Sequence, residues 1–510
     1  MSDAVPATSI RLASRTLALP GEIGDLKERT LRGGFAKLCG QAASFAFRLG
    51  FMIVLARLLD PKDFGLVAMV TVITGIYGMF TSLGLSSATV QKVNITGDQI
   101  STLFWINMLI GALLALLCLA TAPVLVTFYR EPRLLWVTVT MAMGFLINAA
   151  GVQHQALLQR HLRYVTVTVI DALSQLASIV VGIGLAVGGF GYWALVGAML
   201  TASAVATAGA WLTVRWMPGR PRWNAGIASM LHFGGTITLN SLVSYSSYNL
   251  EKVLLGRFWG ADALGIYGRA FQLISVPTEY LNSAIGGVAF SALSRLQDDP
   301  ARLRSYFLKG YALAVSMTLP VTIFCALFAD ELILTLFGPN WVKAAAIFRL
   351  LAPTILIFGM INPLAWLLFS IGLQVRSLKI ALAIAPIVVT AYIIGLPYGP
   401  AGVASAYSIA MSLWLIPHII WCLHGTVISL RDLLLAISRP FVSGCIAGLC
   451  AFAIQHYFGP SSGAVVRLLL GAGVMFATYI LVLLFALGQR DFYLDLFRGL
   501  RRSPATNGSR

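Results

Sequence analysis

The sequence predicts an all-α integral membrane protein with about fourteen transmembrane helices, arranged as two six-helix lobes around a central cavity plus two C-terminal helices. Three observations predict it. The 510 residues are 58% apolar and only 11% charged, where a soluble protein carries about a quarter charged residues. Apolar runs close to the ~20 residues that cross a hydrocarbon core recur from end to end. A polar stop in the first half, ARLLDPKDFG at 56–65, returns in the second half as GRFWGADALG at 256–265.

Residues 1–33 are mixed polar and basic, without the apolar stretch of a signal peptide, and read as a cytoplasmic tail. The first lobe, 34–212, holds apolar runs at 34–57, 65–90, 100–122, 134–158, 164–188 and 190–212. A cytoplasmic connection follows at 213–229. The second lobe, 230–423, holds runs at 230–256, 264–293, 306–328, 343–369, 374–396 and 400–423. Residues 424–487 add runs at 434–457 and 464–487, and 488–510 form a second cytoplasmic tail.

Charge supports this layout. With the N-terminus inside, 25 of the 36 Lys and Arg fall in inside segments and seven in outside loops. That is the excess of cytoplasmic basic residues that sets membrane topology, and it puts both termini in the cytoplasm. The net charge of +17 therefore needs no nucleic acid. The aromatic residues lie within apolar runs and not beside basic clusters, which argues against a nucleic-acid partner.

The two polar stops end alike, Arg57 with Phe64 and Gly65, then Arg257 with Leu264 and Gly265. Each sits at the outer turn of a helix hairpin, where a glycine suits a helix starting straight after a tight turn. A second pair agrees: GGFGYWALVGA at 188–198 and YGPAGVASAYS at 398–408, with Gly189 matching Gly399 and Ala194 matching Ala404. Two parallel six-helix repeats follow, a transporter design with its substrate site between the halves.

Connections are too short to house a nucleotide-hydrolysing domain, and no P-loop, dinucleotide fingerprint or zinc motif occurs. No cofactor or metal is implied. The six cysteines lie in apolar runs without metal-ligand spacing and read as packing residues.

Seven ionisable groups fall inside predicted spans: Arg48, Asp171, Glu251, Lys252, Arg269, Glu279 and Arg349. A charge at a helix centre costs about 2.5–3.5 kcal/mol on the insertion scale unless it meets water or a partner. Arg48 stands roughly 21 Å into its span, too deep to reach the interface, and Glu279 is mid-span. Asp171 lies about one and a half turns into its helix. Glu251, Lys252, Arg269 and Arg349 lie nearer span ends, within reach of the interface. Basic groups in a cavity suit a phosphate or pyrophosphate. The carboxylates Glu279 and Asp171 are candidates for coupling to protons or sodium. Pro277, Pro320, Pro353, Pro363, Pro386 and Pro417 interrupt late spans and are expected to kink them.

The stretch LGIYGRAFQLISVPTEYLNSAIGGVAFSALSRLQDD at 264–299 carries a pattern of Leu264, Gly265, Tyr267, Arg269, Ala270, Gln272 and Leu273. With RLLDPKDFGLVAM at 57–69 and LNSLVSYSSYNLEKVLLGRFWG at 239–260, it resembles the Wzx-type flippases. These are the polysaccharide-transporter branch of the multidrug/oligosaccharidyl-lipid/polysaccharide (MOP) exporter superfamily. Ser291 departs from a proline common there. The resemblance implies flipping of undecaprenyl-pyrophosphate-linked oligosaccharide repeat units across the bacterial inner membrane for export of a surface polysaccharide, driven by H+ or Na+. It implies membrane lipids and polysaccharide polymerase or assembly proteins as partners. In that setting Arg48, Arg269, Lys252 and Tyr267 are candidates for holding pyrophosphate or sugar, and Asp171, Glu279 and Glu251 for ion coupling.

Two rival readings stand beside it. A multidrug antiporter of the same superfamily is disfavoured by the 264–299 pattern. An integral-membrane glycosyltransferase or polymerase would need outer carboxylates such as Asp60 and Asp63, but the repeat puts Gly260 and Ala263 at the matching positions. The chain is expected to be a transporter and not an enzyme.

Overall fold

The computed structural model describes residues 45–81, 89–90, 95–221, 228–457, 463–490 and 493. Every regular element among them is helical, as a bilayer demands of a chain whose backbone groups find no water to bond. Helix α1 covers 45–58. It is followed by α2 (Pro61–Phe80), α3 (Gly97–Tyr129), α4 (Leu134–Arg160), α5 (Tyr164–Val187) and α6 (Trp193–Val214). Helix α7 (Ala228–Ser294) merges two helices across a kink at Gly260, φ 81° and ψ −177°. Then come α8 (Pro300–Leu327), α9 (Ala329–Leu336), α10 (Val342–Leu351), α11 (Pro353–Ser370), α12 (Gln374–Gly395) and α13 (Gly399–Leu423). Helices α14 (Leu430–Tyr457) and α15 (Ala464–Leu481) close the described chain, α15 running into a turn of π-helix at Val482–Ala486.

Ten described helical stretches are long and apolar enough to cross a membrane, one of them joining α12 and α13. The protein is thus an all-helical, multi-pass membrane protein. The start of the first predicted span, and the whole N-terminal tail, lie outside the described residues. The predicted span 343–369 is interrupted at Pro353, as expected, into α10 and α11, because Pro353 brings no N–H to continue the α10 ladder. One sequence expectation needs correction. The stretch 329–342, read as a connection, holds α9 and a 3-10 turn at Pro339–Trp341 entered through Gly338 at φ 94°.

Local signals set several helix starts. Thr96 and Gln99 form a capping box at α3, each side chain accepting the other's backbone N–H. Asp299 caps α8, its carboxylate accepting the Arg302 N–H, with Pro300 in the first turn.

The chain divides into two compact units, Met1–Leu59 with Met69–Ser246, and Asp60–Ala68 with Ser247–Arg510. Within the first, the Thr89 hydroxyl accepts the Gln153 amide at 2.9 Å, and the Thr89 carbonyl accepts Arg160 at 2.7 Å. The His154 ring stacks on Trp211 at 4.1 Å. Within the second, Leu303, Phe307, Tyr311, Leu364, Leu367 and Ile419 anchor the main apolar cluster. Large apolar side chains such as Leu116, Val180, Leu413 and Leu449 stay exposed, as lipid-facing positions require.

The repeat is visible in backbone geometry. The helix breaks at residue 60 and again at 260, so that α2 begins at Pro61 and the second part of α7 at Ala261. At the other matched pair Gly189 has φ 78° and Gly399 φ 74°, and Ala194 and Ala404 are both 0% exposed. A further match, absent from the sequence reading, joins the α4–α5 and α11–α12 turns. There Leu162 (φ 54°) and Gly372 (φ 79°) are both left-handed. The closing bonds correspond one for one: His161 N–H to Leu157 and Arg163 N–H to Leu158, then Ile371 N–H to Leu367 and Leu373 N–H to Leu368.

Candidate functional site

In the first unit, Arg48 on α1 and Asp171 on α5 are both exposed. No ion pair among the described residues holds either one. Asp171 stands on a helix of membrane length, where a bare charge is tolerated only against water or a polar ligand, and Arg48 stands near the start of the described part of α1.

In the second unit, the start of α2 lies against α7 just past its kink. Gly65 and Gly265 bring the two backbones together: a Cβ on Gly65 would meet the Ala261 carbonyl oxygen, and one on Gly265 that of Pro61. Arg269, four residues on from Gly265, lays its guanidinium over the Phe64 ring at 3.9 Å and bonds Gln272. Phe64 in turn meets the buried Trp341 edge-on at 5.4 Å. The interactions seen for Arg269 therefore tie helix starts together. Asp60 immediately precedes α2, Asp63 lies in its first turn, and Asp60 accepts the Asn340 amide at 3.4 Å. Carboxylates so placed complement the helix dipole, which accounts for the pair that a catalytic reading would need.

Glu251 is 0% exposed and does not reach the interface as its place in the span suggested. Neither carboxylate oxygen has a hydrogen-bond partner among the described residues. Tyr267, also 0% exposed and without a hydroxyl partner there, lies within electrostatic reach of Glu251 and Tyr407. Rings continue outward from it: Tyr267 stacks with Phe271 at 6.1 Å, Phe271 tilts against Tyr407 at 6.4 Å, and Tyr407 stacks on Tyr392 at 5.6 Å. Lys252 gives its amine to Asn249 at 2.6 Å. An ionised carboxylate in such an enclosure is costly, and the charge of the neighbouring Lys252, within electrostatic reach, offsets part of that cost. Arg349 pairs with Asp330 at 2.5 Å at the surface, in keeping with its place near a span end.

Glu279 is exposed on α7. One turn further along, Asn282 opens a recess between α7, α8 and α11, lined by Thr278, Thr318, Gly359, Asn362, Pro363 and Trp366 among others. Sequence reasoning passed over these residues because they are neutral and stand singly in apolar runs. It also missed the Thr89, Gln153 and Asn107 network for that reason.

The family model described as "Polysaccharide biosynthesis protein" matches residues 54–346, more than half of the chain. The chain belongs to that family. Among the relatives of this polysaccharide biosynthesis protein is the teichuronic acid biosynthesis protein TuaB of Bacillus subtilis (strain 168). It is 26% identical over 430 residues, covering 78% of this chain and 84% of TuaB. The lipopolysaccharide biosynthesis protein WzxC of Escherichia coli (strain K12) is 27% identical over 353 residues, covering 68% of this chain and 70% of WzxC. Of solved structures, the lipid II flippase MurJ in an inward closed conformation matches with TM-score 0.73 at 12% identity, over 91% of this chain and all of MurJ. An inward-facing multidrug resistance MATE transporter of the MOP superfamily matches with TM-score 0.58 at 17% identity, over 74% of this chain and 93% of that one. The fold is thus similar to that of MurJ and of the MATE transporter.

Proposed function

We propose that this family member is a flippase that moves an undecaprenyl-pyrophosphate-linked oligosaccharide repeat unit across the bacterial inner membrane for export of a surface polysaccharide. It works by alternating access of two six-helix lobes, 34–212 and 230–423, with both termini in the cytoplasm. A proton or sodium gradient drives it through Glu251, and the delivered unit passes to polymerase or assembly proteins outside.

The observation that carries the reading is the exposure of Asp171 and Glu279 on long helices, and of Arg48 on α1, in a chain of membrane-crossing helices. Acyl chains do not tolerate such groups, whereas a passage for a polar headgroup requires them. Family membership, and relatives named for the biosynthesis of teichuronic acid and lipopolysaccharide, supply the substrate class. Arg48, with a charge that suits bidentate contact to phosphate oxygens, is the candidate for the pyrophosphate.

Deletion of the gene in its host tests this. A flippase defect accumulates complete lipid-linked repeat units on the cytoplasmic side. Complete units stranded outside indicate a polymerase instead, and truncated units a transferase; either result overturns the reading.

A further inference from the structure

Helices α14 and α15 follow the two six-helix lobes of the proposed cycle, and both are fitted to α8 around its internal proline, Pro320. Their glycines mark how close the fit is. A Cβ on Gly444 of α14 would meet Leu319 at 2.7 Å, and one on Gly448 would meet Ile323 at 3.1 Å. One on Gly471 of α15 would meet the Phe328 ring at 2.1 Å.

Pro320 has no N–H to give the carbonyl of Ser316, four residues before it. A transmembrane helix tolerates a proline where a neighbour supplies the missing donor. Here the donor is the Tyr479 hydroxyl of α15, 3.0 Å from that carbonyl oxygen. Ser316 is also held a second time. Its hydroxyl lies 2.6 Å from the Ala312 carbonyl and 2.6 Å from the Tyr493 hydroxyl. A serine has one proton to give, and the Ala312 carbonyl takes it, so Tyr493 donates to the serine oxygen. On a straight helix Tyr479 and Tyr493 would stand about 21 Å apart. The π turn at Val482–Ala486 and the left-handed Gly488, φ 62°, end α15 and let Tyr493 return to the same serine. Ser316 is 6% exposed and Tyr479 4%, so water does not take the place of either phenol.

One donor completes the α8 ladder. The second, from the chain past α15, adds nothing to that repair but doubles the hold on one residue of α8. A helix that lacks a ladder bond bends there more readily than elsewhere. Bending at Pro320 moves Ser316 against α15, so contacts made in only one form of α8 shift the balance between forms.

We propose that Tyr479 and Tyr493 are positioning residues for translocation. By holding Ser316 they stabilise the form of the α8 hinge in which Ser316 meets α15, and so set how often that form is reached in the cycle. The inference rests on the flippase reading and deepens it, by giving the C-terminal helix pair a part in the movement.

The test uses the full-length protein in vesicles, with undecaprenyl pyrophosphate bearing one labelled hexose as the probe. Maximal translocation rate and probe affinity are read separately. Tyr479→Phe and Tyr493→Phe keep the rings and remove only the hydroxyls. Each is expected to lower the maximal rate about fivefold, the worth of one net hydrogen bond, and to leave affinity within about twofold. Pro320→Ala returns an N–H to the Ser316 carbonyl, so in that background Tyr479→Phe is expected to change the rate by less than about twofold. An unchanged rate in the tyrosine variants, even with a lower unfolding midpoint, would show a merely structural contact and overturn the proposal. Rate and affinity falling together, or a Tyr479→Phe effect of full size in the Pro320→Ala background, would overturn it too. A wild type that moves no probe would overturn the flippase reading itself, and the positioning role with it.

Discussion

A Cβ on Gly65 would lie 1.7 Å from the carbonyl oxygen of Ala261, and a Cβ on Gly265 would lie 1.8 Å from that of Pro61. The contact is reciprocal at a constant offset: each glycine packs on the residue four before the other. Such mutual packing is what a two-fold relation between repeated segments produces. The two stops repeated in the sequence are thus one structural joint, with a glycine on each side because the opposing backbone leaves no room for a side chain.

Substituting either glycine is therefore expected to be costly. Gly65→Ala and Gly265→Ala press a methyl onto backbone, which cannot swing aside, and overpacking of this kind costs about 1–3 kcal/mol or more. Gly78→Ala, with nothing within 4 Å of its added Cβ, should be neutral or slightly stabilising. Thermal unfolding of the three purified variants in detergent checks the contrast; equal midpoints would contradict it.

The α4–α5 turn gives a prediction of opposite sign. Leu162 occupies a left-handed position while 64% exposed, and its counterpart is Gly372. A side chain in that conformation costs about 1–2 kcal/mol. Leu162→Gly is expected to raise stability by about 1 kcal/mol, and Gly372→Ala to lower it by a similar amount. Both are read as shifts in the unfolding midpoint.

Arg269 was a candidate for substrate contact, and its interactions on Phe64 and Gln272 point to a bracing role. A double-mutant cycle of Phe64→Leu with Arg269→Lys should return a coupling of about 1 kcal/mol in stability. Additive effects on stability, with substrate affinity falling only in the Arg269 variant, would restore the substrate role.

Glu251 is the carboxylate best enclosed to carry an ion. Glu251→Gln keeps the shape and removes the exchangeable charge, so the variant is expected to fold and to bind substrate while its transport ceases to respond to an imposed proton or sodium gradient. Glu279→Gln, at an exposed position, is expected to keep that response. Transport by Glu251→Gln with wild-type ion dependence would remove Glu251 from the role.

Much of this fold could be read from the chain because bilayers impose long apolar helices and leave polar residues to mark their ends. The breaks at 60 and 260 were legible as repeated polar stops, and the matched left-handed glycines 189 and 399 as a repeated Gly. Leu162 was not legible, since a leucine gives no sign that its backbone is left-handed. The α10–α11 break was legible at Pro353, which has no N–H to continue a helix, whereas α9 was hidden in a stretch that reads as a connection. Glu251 was placed by its distance along a helix, which says nothing about the face it occupies, and burial is decided by the neighbours on that face. Asn282, Asn362 and Trp366 were missed because a search for charge does not find neutral polar groups that three helices bring together.

The most direct measurement is transport itself. The purified protein is reconstituted in vesicles with a labelled lipid-linked oligosaccharide, and a membrane-impermeant glycosidase is added outside. An imposed ion gradient is expected to drive the label toward complete accessibility, beyond the half that a symmetric bilayer exposes, and Glu251→Gln vesicles are expected to show no such gradient-driven rise. An accessible fraction that stays at the level of protein-free vesicles, with and without the gradient, would contradict the proposal that this chain carries a polar headgroup across the membrane.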